Sequence, residues 1–211
     1  MQDQKQHSAS KSFATGLLLA VVGSIAFSGK AIIVKLAYRY GVDAVTLIMY
    51  RMLFALPIFA VMAWWASRGK EALTRNDWLG VLGLGFTGYY LASYLDFAGL
   101  AYISAAFERL ILYLNPTLVL ILGWLLYNKK MSSKQIGAMA LSYAGILLVF
   151  GHELSVQSVS TLANGSTAWG ALLVFGSAVS YAIYLSYSGE MVKRLGSLRL
   201  VGLATTVACL L

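Results

Sequence analysis

The chain has 211 residues, of which 59% are hydrophobic and 11% charged, with a formal net charge of +8 at pH 7. The apolar share is too high and the charged share too low for an ordinary soluble domain. The bases stand in short clusters between long apolar runs, which argues against a nucleic-acid-binding surface and for a polytopic membrane protein.

Residues 1–12, MQDQKQHSASKS, read as a polar, disordered tail without the apolar core or cleavage pattern of a signal peptide. Six hydrophobic segments follow, at 14–37, 44–66, 78–100, 105–127, 134–151 and 168–188. Each is near the roughly 20 residues that a helix needs to cross a bilayer. A seventh begins near Leu198 and is still apolar at Leu211, which reads as a truncated sequence. The fold class is therefore an all-α polytopic membrane protein with six complete transmembrane helices and the start of a seventh.

Lys5 and Lys11 precede the first segment. Arg68, Lys70 and Arg75 lie between the second and third, Lys129, Lys130 and Lys134 between the fourth and fifth, and Lys193, Arg194 and Arg199 after the sixth. The alternate connections hold only Arg39. This asymmetry predicts a cytoplasmic N-terminus in a plasma (cell inner) membrane, and the plain reading of each cluster is a topology signal and lipid-headgroup contact. The connection 152–167 has no lysine or arginine and is expected as an extracytoplasmic loop. Its Asn164-Gly165-Ser166 is a formal glycosylation sequon of little weight.

Across that loop the sequence repeats weakly. Gly23-Ser24 and Ala26-Phe27 match Gly176-Ser177 and Ser180-Tyr181, and Arg39-Tyr40-Gly41 matches Arg194-Leu195-Gly196. Five spans per unit is an odd number, so a second copy inserts upside down, a common plan of secondary transporters.

The charges inside the spans carry the functional reading. Lys30, Arg51, Asp96, Glu108 and Arg109 all fall in the outer half, roughly 5–12 Å below the outer surface at the helical rise. Lys35 is close enough to the surface to snorkel. Charges at such depth are costly unless they are paired or face water. The plainer expectation is an ion pair, such as Asp96 with Arg109, that locks the hairpin of the third and fourth segments. The functional expectation is that Lys30, Arg51 and Arg109 line a cavity for an anionic or zwitterionic small molecule. In that reading Glu108 or Asp96 can couple transport to protons. Tyr90 and Tyr94, an i, i+4 pair on the segment of Asp96, are cavity candidates. Asn115 shares a face with Glu108, and Pro116 predicts a kink or hinge. Gly80, Gly83, Gly85 and Gly88 should allow close helix packing.

No phosphate-binding GxxxxGK[ST] loop is present, and His152-Glu153 lacks the second histidine of a zinc protease motif. The lone Cys209 excludes an intrachain disulfide within these residues and a cysteine metal site.

Ser104-Ala105-Ala106, Glu108-Arg109-Leu110-Ile111-Leu112, Pro116-Thr117-Leu118-Val119 and Gly137 to Gly145-Ile146-Leu147-Leu148 resemble the EamA-type transporters of the drug/metabolite transporter superfamily. Lys35 and Arg51-Met52-Leu53-Phe54-Ala55 fit the same family. The resemblance implies ten helices in two inverted five-helix repeats around a central cavity. Residues 13–151 would be the first repeat and 168–211 the start of the second. Many members have a glycine-glutamate pair where this chain has Tyr127-Asn128-Lys129-Lys130, so no role of that acid carries over. The expected function is a secondary transporter, an exporter of small metabolites working by alternating access. No enzymatic activity, cofactor, metal or nucleic-acid partner is expected, and a homodimer is left open. The alternative is a non-transporting membrane assembly or regulatory subunit, or a non-functional fragment.

Overall fold

The computed structural model describes residues 16–128, 132–161 and 165–211, with side-chain surroundings omitted for 149–161. The polar tail 1–12, Lys129, Lys130 and the sequon residue Asn164 lie outside the described residues.

Among the described residues all regular structure is helical. Helix α1 spans Gly16–Arg39 with a turn at Gly29, and α2 spans Ala44–Ser67. Helix α3 occupies 75–100 as an α-helical start Arg75–Leu84, a π-helical middle Gly85–Leu91 and an α-helical end Ala92–Leu100. Helix α4 is Ala105–Tyr127, broken between Ala105–Leu112 and Asn115–Tyr127. Helices α5, α6 and α7 are Ser133–Thr161, Gly165–Leu195 and Ser197–Leu210. Of these, α1, α2, α4 and α6 are long and apolar enough to cross a membrane. Their outer faces carry unburied large apolar side chains such as Leu18, Ile25, Phe54, Ile58 and Trp65. That is a lipid-facing surface rather than a water-facing one.

The helix starts follow from their caps. Asp43 accepts hydrogen bonds from Val45 N (3.0 Å) and Thr46 N (3.2 Å), and together with the Thr46 hydroxyl these hold its carboxyl below the usual carboxylate range. Thr74 and Asp77 form a capping box at the start of α3, and Ser104 Oγ accepts from Phe107 N (3.1 Å) at the start of α4.

The stretch 152–167 departs from the expected loop. Helix α5 continues to Thr161 and α6 begins at Gly165. No glycine or proline stands between His152 and Thr161, so nothing in that segment stops a helix.

Consecutive helices run up and down. One end of the bundle, here called the hairpin end, holds the α1–α2 turn and the α3–α4 turn. The opposite end joins the start of α3 to the end of α6, where Arg194 Nη2 donates to Asp77 Oδ2 (3.1 Å) and to Thr74 Oγ1 (3.3 Å). Arg199, at the start of α7, donates to Ser67 Oγ (3.2 Å) and to the Glu71 carbonyl (2.9 Å). These two arginines thus have specific protein partners besides any topological role. Helix α1 ends beside the end of α3, whereas α6 ends beside its start, so α1 and α6 run in opposite directions. Helices α2 and α7 are also antiparallel, with Gly202 against Ala63 and Cys209 against Met52. Gly41 and Gly196, which follow the matching Arg39-Tyr40 and Arg194-Leu195, both have positive φ, 79° and 84°. That backbone region suits glycine.

Candidate functional site

The charges expected inside the spans gather where α1, α3 and α4 meet, near the hairpin end. Lys30 is on α1, Asp96 in the last turns of α3, and Glu108 and Arg109 in the first turns of α4. Asp96 and Glu108 are 2% and 0% exposed. Lys30 Nζ hydrogen-bonds Asp96 Oδ2 and lies 3.4 Å from Glu108 Oε1. Arg109 Nε lies 3.3 Å from Glu108 Oε2. The chain of alternating sign is therefore Asp96, Lys30, Glu108, Arg109.

This corrects the expected partner of Asp96. Lys30, rather than Arg109, takes it, because α1 places the ammonium group between the two carboxyls. Arg109 turns instead toward α1 and donates to the carbonyls of Phe27 (3.0 Å) and Ser28 (3.3 Å). Those carbonyls stand beside the turn at Gly29, where α1 is interrupted. The hairpin charges thus tie α1 to α3 and α4.

Aromatic faces complete the enclosure. Lys30 Nζ is 5.2 Å from the Phe27 ring centre and 5.7 Å from that of Phe97, and Arg109 is 5.1 Å from Phe27. A cation above a ring face is attracted by its quadrupole. Tyr38 donates its hydroxyl to the Phe97 carbonyl (2.6 Å), which fixes α1 one turn before the end of α3. None of Phe27, Phe97 or Tyr38 was a site candidate from sequence. The i, i+3 spacing of Phe27 and Lys30 is the signal that could have marked the first.

Arg51 differs from the other bases. It donates to Ser93 Oγ (3.1 Å) and lies 5.4 Å from the Phe97 ring centre, but it forms no ion pair with a carboxylate among the described residues. Three buried carboxylate oxygens, Asp96 Oδ1, Glu108 Oε1 and Glu108 Oε2, lack a hydrogen bond there too. The two Glu108 oxygens have charged neighbours, yet not in hydrogen-bond geometry. Unfilled acceptor capacity of this kind suits a proton, a water or a ligand donor.

The other candidates stand outside the ionic cluster. Tyr90 stacks on Phe86 at 6.0 Å, and Tyr94 is exposed on the surface of α3. Asn115 lies beyond the break in α4, its Oδ1 buried without a hydrogen-bond partner among the described residues. Pro116 is at the start of the second half of α4, just after the interruption at Tyr113-Leu114. Having no N–H, it cannot bond the Leu112 carbonyl, and this accounts for the local opening.

The π-helical part of α3 was not legible from sequence. Serines of α6 add side-chain hydrogen bonds to a carbonyl of this part and to that of the residue just after it. Ser180 Oγ donates to the Thr87 carbonyl (2.8 Å) and Ser177 Oγ to the Ala92 carbonyl (2.7 Å). Tyr89 and Tyr184 meet hydroxyl to hydroxyl at 3.0 Å. Gly80 and Gly88 pack against Met191 and Tyr184 of α6, and Gly85 against Ala204 and Val207 of α7, whereas Gly83 faces open space. Three helices are thus irregular in the same bundle, a feature tolerated in membranes where the backbone is covered by protein or lines a cavity.

The sequence pattern of the EamA-like transporter family matches residues 14–151, which contain every member of the charged cluster. The chain belongs to that family. It is a multi-pass membrane protein. It is 28% identical over 206 residues to the uncharacterized transporter YcbK of Bacillus subtilis, covering 97% of this chain and 64% of that one. It is 31% identical over 124 residues to the uncharacterized transporter YyaM of the same organism, covering 59% of this chain and 39% of that one. An uncharacterized transporter of Archaeoglobus fulgidus is 24% identical over 180 residues, covering 85% and 59%. The chain thus spans less than two thirds of the length of these relatives. No solved structure matches it.

Proposed function

We propose that this protein is, or is part of, a secondary transporter that moves small anionic or zwitterionic metabolites by alternating access, in the export direction. The observation that carries the reading is the row Asp96, Lys30, Glu108, Arg109, whose acids are buried, with Arg51 beside it in no ion pair among the described residues. Arg51 offers a cation to the substrate. Asp96 and Glu108 share Lys30, so protonating either one loosens the tie between α1 and the α3–α4 hairpin. Proton binding and helix movement are then the same event.

The repeat reading places 13–151 as one five-helix unit and 168–211 as the start of an inverted second unit. The opposed directions of α1 and α6, and the positive-φ glycines that end their matching segments, support it. The base-rich connections support a cytoplasmic N-terminus in a plasma (cell inner) membrane, with the hairpin end outside. Asn115 and the break at Pro116 supply a polar point and a hinge on the same helix as Glu108.

The test is efflux from vesicles containing the full-length protein, with a metabolite panel and an imposed pH gradient. Gradient-dependent transport lost in Glu108→Gln and Arg51→Gln supports the reading. Full transport by both variants at normal abundance sinks it.

A further inference from the structure

An open pocket of about 540 Å³ lies at the hairpin end, and its lining includes none of Lys30, Asp96, Glu108 and Arg109. Its wall is formed by Lys35, Tyr38 and Arg39 of α1 and by Ala101, Ser104 and Ala105 of the α3–α4 turn. We infer that this pocket is a binding site for an oxyanion group, the carboxylate or phosphate of a small solute or a lipid headgroup.

Three independent sources of positive potential converge there. Lys35 and Arg39 are four residues apart on one helix and so share a face. Neither is paired with a carboxylate among the described residues, and no acid lines the pocket. The third source is the start of α4. Ser104 already fills two of its early amides, with Oγ accepting from Phe107 N (3.1 Å) and the carbonyl accepting from Glu108 N (2.9 Å). The amides of Ala105 and Ala106 precede these and have no partner within the helix, and an anion there also meets the positive end of the helix dipole. Of the acids near the wall in sequence, Asp43 has its oxygens occupied in capping α2, and Glu108, one turn into α4, stands beside Lys30 (3.4 Å) and Arg109 (3.3 Å). Tyr38 commits its hydroxyl to the Phe97 carbonyl, so it contributes a wall rather than a competing acceptor.

The position of Arg39 adds an argument from topology. It is a base at the end of the bundle where the bases are few, so the orientation signal does not require it. The site goes beyond the transport reading and does not depend on it, because binding is measured with no gradient and no turnover.

The test uses the full chain in phosphatidylcholine nanodiscs, titrated with inorganic phosphate and followed by calorimetry. The variants are Lys35→Gln, Arg39→Gln and the pair together, each checked for an unchanged melting temperature. Phosphate binding that weakens about tenfold or more in the double variant supports a solute site. A parallel arm places the proteins in discs containing phosphatidylglycerol and measures co-purified lipid by native mass spectrometry. Lipid retained by the wild type and lost from the double variant supports the same oxyanion site with a headgroup as its occupant. Equal phosphate affinity and equal lipid retention in wild type and double variant overturn the inference. Ala105→Asp, which adds a negative charge to the wall without removing a base, provides the second variant. It should abolish binding, and unchanged binding in it also overturns the inference.

Discussion

Lys30 Nζ stands 3.4 Å from Glu108 Oε1 while donating to Asp96, so one ammonium group on α1 serves two buried carboxyls on α3 and α4. Lys30→Met should leave both acids without their shared cation. The expected cost is about 3–5 kcal/mol, the range for breaking a buried pair by removing one partner. Thermal unfolding in detergent checks it, and Asp96→Asn introduced into the same chain should recover part of the loss. A Lys30→Met protein that melts like wild type would show that this pairing does not hold α1.

The serines of α6 give a second expectation. Ser177→Ala removes a buried side-chain donor to the Ala92 carbonyl, at a covered position between α6 and α3. The carbonyl keeps its helical partner, so the expected cost is that of one net hydrogen bond, about 0.5–1.5 kcal/mol. Ser180→Ala, which removes the second donor to a Thr87 carbonyl that also accepts from Ala92 N, should add to it. Denaturation of the single and double variants reads the two effects. No loss in the double variant would mean that these bonds do not support the widened turn of α3.

Two glycines of α3 make a paired comparison. A methyl group at Gly88 would fall 2.3 Å from Tyr184 Cδ2 and 2.9 Å from its Cβ, whereas one at Gly83 meets nothing within 4 Å. Gly88→Ala should therefore destabilise by about 1–3 kcal/mol through overpacking. Gly83→Ala should be neutral or gain up to about 1 kcal/mol from helix propensity. Equal melting temperatures for the two variants would contradict the close approach of α3 and α6.

The far end of the bundle responds to pH. The Thr74 hydroxyl and backbone amide, then Arg194, hold the Asp77 carboxyl below its ordinary value of 3.8. A depressed carboxylate stabilises the fold above its unfolded pKa, and that contribution disappears as pH falls through the folded value. The stability gap between wild type and Asp77→Asn should thus be constant from neutrality to about pH 5 and close below about pH 4. Melting temperatures of both proteins across that range check the sign. A gap that widens on acidification would reverse it.

Much of the helical layout was legible because a bilayer-length apolar run is a strong signal, and the turns after Arg39, Arg68 and Leu100 carried their own punctuation. That Lys30, Asp96, Glu108 and Arg109 lie at a common level was legible too, since rise per residue converts position into height along a helix. Which acid takes which base was not. That depends on the rotation of α1 about its axis, and hydropathy carries no information on rotation. The π-helical turn of α3 was hidden for a similar reason, because Gly85–Leu91 has the same apolar character whichever carbonyl each amide chooses. Arg194 and Arg199 were read only as charges on one side of a membrane. Their partners, Asp77, Thr74, Ser67 and the Glu71 carbonyl, lie more than a hundred residues away in sequence.

The seating of Gly202 on Ala63 sets an order of events during synthesis. The face of α2 that α7 covers is made roughly 140 residues before its cover exists. At ordinary translation speeds that interval is on the order of ten seconds. For that time α2 sits in lipid with a small-residue groove open, held only by its earlier neighbours. Substitutions that enlarge Ala63 therefore act late, when α7 arrives to find its berth filled, and they should leave the insertion of the first helices untouched.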